Sequence, residues 1–172
     1  MTRTFYLLAC MLMVAGWTAP ALGPGPGPAL GIVTSLPVPR FVSLRTDDVN
    51  MRAGPGFQYP IIYDYKRAGL PVEIIGEFDV WRHVVAPDGG IGWVHEATVR
   101  AERGFIVTGA QHVIRAAARD DAAPVAYAEP GVIGRILSCD AALSWCRVSA
   151  DHRTGWLKRD DFWGAFAGEA IK

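Results

Sequence analysis

The sequence predicts an all-β protein: two small, partly open barrels in tandem, preceded by a removable leader and a Gly/Pro-rich linker. Three observations point there. Glycine and proline are frequent, 19 and 12 of 172 residues, which is turn chemistry for many short strands and argues against a helical bundle. The apolar residues fall in short, β-branched runs bounded by those turns. A set of landmarks also recurs along the chain at nearly one spacing.

The composition bounds the function classes. Lys and Arg number 17 against 17 Asp and Glu, so the formal net charge is zero. No global basic field exists to hold a nucleic-acid backbone, and no nucleic-acid partner is expected. With 51% hydrophobic and 20% charged residues, most of the chain should fold.

Residues Phe5 to Trp17 are almost purely apolar and follow one basic residue, Arg3. A spanning helix needs about 20 apolar residues, so this run has the size of a signal-peptide core. Ala19-Pro20-Ala21 offers a small-x-small cleavage site, which makes 1–21 the signal peptide and Leu22 the new N-terminus. The rival reading is a lipoprotein signal ending at Cys10, but the apolar run continues past that cysteine. No later stretch has the length of a transmembrane helix, so no stable membrane span is expected after cleavage. The expected location is periplasmic or secreted. Residues 22–39, with Gly23-Pro24-Gly25-Pro26-Gly27-Pro28 at their start, are expected to be a disordered tether.

The repeat organises the rest. Arg52, Pro60, Gly69, Trp81 and Trp93 recur as Arg115, Pro124, Gly131, Trp145 and Trp156, at offsets of 63, 64, 62, 64 and 63. The order is kept, and the drifts fall where loops absorb length. The expected units are 40–100 and 101–164, with 165–172 as a tail. Units of about 60 residues can fold alone with little margin. Within the first, Leu70 to Ile75, Trp81 to Val85 and Ile91 to His95 read as strands. Asp88-Gly89 between the last two is a hairpin signal. Gly54-Pro55-Gly56 ends the strand Val49 to Ala53 and opens a long loop; proline presets its φ, and the glycines are expected to supply unusual backbone angles.

The run Val49-Asn50-Met51-Arg52-Ala53-Gly54-Pro55-Gly56, then Tyr59-Pro60-Ile61-Ile62, Trp81-x-x-Val84 and Gly92-Trp93-Val94-His95 resembles the bacterial Src-homology-3-like (SH3b) domain family. The second unit keeps Arg115-Ala116, Ala123-Pro124-Val125, Trp145-x-x-Val148 and Gly155-Trp156-Leu157, but has Ala117-Ala118-Arg119 in place of Gly-Pro-Gly. The resemblance implies small SH3-like barrels of an exported Gram-negative protein that bind cell-wall peptidoglycan or a peptide, with a groove near the long loop. It implies no reaction and no cofactor.

No catalytic set stands out. His83, His95, His112 and His152 show no metal-ligand spacing. Ser138 and Ser144 flank no glycine elbow. Adjacent acidic pairs such as Asp120-Asp121 read as turn and cap residues, because neighbouring side chains in a strand point apart. Without Cys10, an exported chain keeps Cys139 and Cys146, which read as one disulfide; a zinc site with His152 or a cysteine nucleophile would need them free.

The aromatics carry the functional reading. Trp93 and Trp156 are expected in the cores, whereas Trp81 and Trp145 begin strands beside a loop, where partial exposure is expected. Phe57, Tyr59, Tyr63 and Tyr65 crowd the long loop of the first unit. Loops lie on the surface, so these four with Trp81 are the candidate ligand site; the bland reading has them covering the barrel's open end. Phe162, Trp163 and Phe166 either fold back on a barrel or form an exposed patch. The run Phe105 to Thr108 favours contact between the units. The sequence thus reads as a non-catalytic module for peptidoglycan or a peptide ligand. The alternative is an adhesin-like module that binds another protein.

Overall fold

The computed structural model describes residues 29–142 and 144–172. The expected signal peptide and the start of the linker lie outside the described residues. Two short strands come first, β1 (Ala29–Leu30) and β2 (Pro37–Val38). The first unit then contains β3 (Arg40–Leu44), β4 (Val49–Arg52), β5 (Ile61–Tyr65), β6 (Pro71–Phe78), β7 (Trp81–Val85), β8 (Ile91–His95) and β9 (Val99–Arg100). The second contains β10 (Gly104–Val107), β11 (His112–Arg115), β12 (Pro124–Ala128), β13 (Ile133–Cys139), β14 (Trp145–Ala150), β15 (Arg153–Lys158) and β16 (Phe162–Trp163). The strand orders are β5-β4-β8-β7-β6-β3-β9 and β12-β11-β15-β14-β13-β10-β16, so the two sheets share one topology. Helix is confined to two 3-10 turns, Glu96–Thr98 and Arg159–Asp161, among the described residues. The fold is all-β with two SH3-like units, as the repeat predicts.

Alternation places each core. Val49, Met51, Val72, Ile74, Val84 and Val94 are buried in the first unit. Phe105, Ile114, Val148 and Leu157 are buried in the second. The Gly-Trp pairs owe their glycine to close approach. A Cβ on Gly92 would stand 2.8 Å from the Arg52 carbonyl oxygen, and one on Gly155 would stand 2.6 Å from that of Arg115. Neither neighbour is a flexible side-chain tip, so a larger residue would push β4 or β11 off the sheet.

Trp145 is half-buried as expected, but three other tryptophans depart from the expected burial. Trp93 and Trp156 are half-buried, while their neighbours Val94 and Leu157 are fully buried. Trp81, expected to be partly exposed, is 5% exposed. The reason is face. Val84 and Val94 point inward, so by the two-residue period Trp81, His83, Trp93 and His95 share the outer face; Trp81 is nevertheless buried there, because the Phe57 and His95 rings cover it.

The disordered-tether expectation fails from Ala29 onward. β1 and β2 pair as a hairpin, and Glu77 grips the turn between them. Its carboxylate accepts from the Val33 and Thr34 amides at 3.1 and 2.9 Å, from Thr34 Oγ1 at 2.6 Å and from Arg40 Nη2 at 2.6 Å. Proline and glycine restrict regular ladders, but a buried carboxylate can still order a turn through its N–H groups.

The two units touch. Phe41 meets Trp163 edge-on at 4.7 Å and Phe166 at 4.7 Å. Arg67 Nη2 donates to the Gly131 carbonyl at 2.7 Å, and Ser43 Oγ donates to the Glu102 carbonyl at 2.8 Å. Ile106 and Ile133 of the second unit pack against the first core. The terminal aromatics therefore fold back, with Phe162 buried in the second core. The chain end bridges to Cys139 through Ile171.

Candidate functional site

Phe57 stands at the centre of an aromatic cluster on the outer face of the first unit. It is 70% exposed. Its ring contacts Trp81 edge-on at 5.1 Å and stacks on His95 at 5.7 Å. Trp81 and His95 are cross-strand partners on β7 and β8, with rings 5.4 Å apart. Beneath Phe57 lies the Arg52 guanidinium, 5.5 Å from the ring centroid. Arg52 Nη1 also donates to the Phe57 and Tyr59 carbonyls at 3.1 and 2.8 Å. One arginine thus holds the loop at two points and supports its exposed ring through a cation–π contact.

Gly54 sets the loop in a way the sequence reading misassigned. Neither Gly54 nor Gly56 has a positive φ. Gly54 is needed because a Cβ there would stand 2.5 Å from the Tyr59 ring. The tyrosine lies flat against backbone that has no side chain. Space, rather than backbone angle, is what the glycine supplies.

Tyr63 and Tyr65 belong to a second cluster. Their rings stack at 6.0 Å. The Tyr65 hydroxyl donates to Asp88 on the β7–β8 hairpin at 3.0 Å. Burial and the Asp88 carboxylate together push the Tyr65 pKa well above the usual tyrosine range, so it stays a neutral donor. Tyr65 and Asp88 border a groove of about 400 Å³ that is completed by Ile106, Thr108 and Gly131 of the second unit. The five candidate residues therefore divide: Phe57 and Tyr59 in the loop over Trp81 of β7, and Tyr63 and Tyr65, expected in the loop but carried on strand β5, beside the inter-unit groove.

Four participants escaped the sequence reading: Arg52, His83, Trp93 and His95. His83 and Trp93 are cross-strand partners whose rings stack at 4.6 Å and 12°. Burial holds the His83 pKa below the usual histidine value. The signal was present in the spacing, since Trp81-x-His83 and Trp93-x-His95 place both rings of each strand on one face.

The second unit builds this face differently. In the cross-strand pairs Trp145–Lys158 and Arg147–Trp156, cations stand where the first unit has histidines. Lys158 Nζ lies 5.4 Å from the Trp145 ring and pairs with Asp120 at 2.6 Å. Arg115 Nη1 donates to the Ala122 carbonyl at 2.9 Å, so the loop brace is kept while the aromatic tip is lost. Tyr127 is 64% exposed. Cys139 and Cys146 face each other across β13 and β14 and are joined, with an S–S distance of 2.01 Å. Among the described residues no group of three or more His, Cys, Asp or Glu could hold a metal ion. Among them also, no helix is long and apolar enough to cross a membrane.

Two curled antiparallel sheets, each with a braced long loop over its outer face, define a tandem SH3-like module. The chain belongs to the bacterial SH3 domain family, whose model matches residues 45–101 and again 108–164. Such domains are commonly binding modules. Two solved structures are similar at low identity. NlpC1 from Trichomonas vaginalis aligns at 17% identity and a TM-score of 0.34, covering 82% of this chain and 51% of that one. NlpC2 from the same organism aligns at 14% identity and a TM-score of 0.34, covering 73% and 48%. This chain therefore spans about half their length, and at those scores the likeness carries no functional argument. No curated protein matches the sequence.

Proposed function

We propose that the protein is a non-catalytic module that binds cell-wall peptidoglycan or a wall peptide outside the cytoplasm, through the loop-tip face of its first unit. The observation that carries this reading is Phe57. It is widely exposed, yet rests on a buried tryptophan, a histidine and an arginine that brace it from below. An exposed ring held in one position offers apolar area with little ordering cost on binding. His95 and the Tyr59 hydroxyl add polar groups suited to a sugar or a peptide.

Two features support location and asymmetry. The apolar segment Phe5 to Trp17 has the dimensions of a secretory leader, and a disulfide suits an oxidising compartment. The charged face of the second unit suits a supporting role better than the same ligand. Sedimentation with purified sacculi tests the reading: the parent should pellet with them and Phe57→Ala should remain largely in solution. Equal pelleting of the two, or none of the parent, refutes it. Intact mass of protein from the native envelope tests export; a mass that includes residues 1–21, or a lipid on Cys10, contradicts it.

A further inference from the structure

A cleft of about 610 Å³ opens beside β3 and β9, and five arginines line it: Arg40, Arg45, Arg82, Arg100 and Arg103. One carboxylate, Glu96, stands among them. Leu36 of the N-terminal hairpin is exposed and supplies apolar surface on one side, while the floor is the outer edge of the first core at Val42 and Val99. The cleft shares no residue with the Phe57 face.

The five guanidiniums are of two kinds. Arg40, Arg82 and Arg103 each have a carboxylate of their own: Glu77 at 2.6 Å, Glu96, and Glu169 at 2.6 Å. They hold the walls. Among the described residues Arg45 donates to a single acceptor, the Val99 carbonyl, at 3.4 Å from Nε and 3.2 Å from Nη2. Arg100 meets Glu102 at 3.1 Å, and Arg135 shares that carboxylate at 3.4 Å. Among the described residues Arg45 thus has no carboxylate, and Arg100 and Arg135 have one between them, so positive charge is in excess along this side. The Nε groups of Arg100 and Arg103 are also buried without an acceptor, a costly state for a donor.

This arrangement is matched to an anion that also has an apolar part. Guanidinium forks pair with carboxylates through two parallel, charge-assisted hydrogen bonds. Apolar walls lower the local dielectric and strengthen such a pair. They also favour an alkyl side chain beside the charge over a bare hydrated ion. The geometry points to a second binding site for the free carboxylate terminus of a short peptide with a small apolar last residue. Arg45 and Arg100 take the carboxylate, and the exposed Leu36 side chain, with the rims of Val42 and Val99, takes the side chain.

Calorimetric titration of the full chain with N-acetyl-Ala-Ala, with its C-terminal amide and with inorganic phosphate tests the site. The free acid should bind saturably and the amide about tenfold more weakly or worse, since the charge-assisted pairs are lost. Arg45→Gln and Arg100→Gln should each weaken the acid by about tenfold while melting as the parent does. Absence of saturation by the acid, equal affinity for acid and amide, or phosphate binding as tightly as the acid would each overturn the assignment. So would unchanged affinity in both variants. Should a variant melt early, the acid-to-amide ratio of the parent decides alone.

Discussion

The ring of Phe41, on the first strand of the first barrel, meets the ring of Trp163, on the last strand of the second, edge-on at 4.7 Å. Phe41 is buried, and the Arg103 guanidinium lies 5.8 Å from its ring centroid. Residues from three places in the chain thus fasten two barrels that the repeat alone would allow to move apart.

Phe41→Ala should remove this fastening. Large-to-small changes at buried aromatic positions cost about 3–5 kcal/mol. The parent is expected to melt in one calorimetric transition, and Phe41→Ala in two. Two transitions in the parent would show that the contact does not couple the units.

Glu77 should make stability fall in acid. Burial alone would raise its pKa, but the hydrogen bonds from Thr34, Arg40 and Val33 outweigh that and hold it at about 2, against an ordinary glutamate value of 4.5. A carboxyl with a depressed folded pKa stabilises fully above its unfolded value and loses that contribution as pH falls toward the folded one. The window is therefore pH 4.5 down to about 2. At about 1.4 kcal/mol per unit, the loss is about 3 kcal/mol. Glu169, also depressed, acts in the same direction. Denaturant melts of Glu77→Gln should show a shallower acid limb than the parent. An unchanged limb would mean the N-terminal hairpin contributes nothing to it.

The disulfide should matter to a unit this small. Cys139 and Cys146 close a loop with a sequence separation of 7. In the chain-entropy treatment such a loop contributes about 2.5 kcal/mol. Reduction, or Cys139→Ala with Cys146→Ala, should lower the melting temperature of the parent's transition. Thiol titration of unfolded, unreduced protein from the envelope should find no free thiol.

The loop-tip residues should separate by role. Phe57→Ala should cost about 1–3 kcal/mol in binding to sacculi, as exposed aromatic hot spots do, with little change in melting. Trp81→Ala should lower both, because Trp81 is buried under Phe57. Tyr59→Ala and Tyr63→Ala should weaken binding less than Phe57→Ala, and Tyr127→Ala least. Were Tyr127→Ala the damaging change, the ligand would sit on the second unit.

Much of the fold was legible because its signals are local. Asp88-Gly89 specifies a turn, and Gly89 takes φ +84° there. In the second unit Asp151 and His152 do the same work with φ of 45° and 60°, without a glycine to announce it. The pairing of Cys139 with Cys146 could be read because the residues between them are few and two strands flank them. The aromatic site was legible only as a crowd of rings. Phe57 and Tyr63 are near in sequence, yet they join different clusters.

By itself the sequence determined the β class, the duplication, the hairpin turns and the cysteine pair, since each rests on short-range spacing and residue chemistry. Tertiary structure alone decided which face each tryptophan takes. A two-residue period says that Trp93 and Val94 lie on opposite sides, but only packing against Met51 and Val84 says which side is inside. It likewise decided that Glu77 orders the N-terminal hairpin and that His95 supports Phe57. Those contacts join residues 43 and 38 positions apart, and a ring or carboxylate acquires such partners only when strand register brings distant segments together.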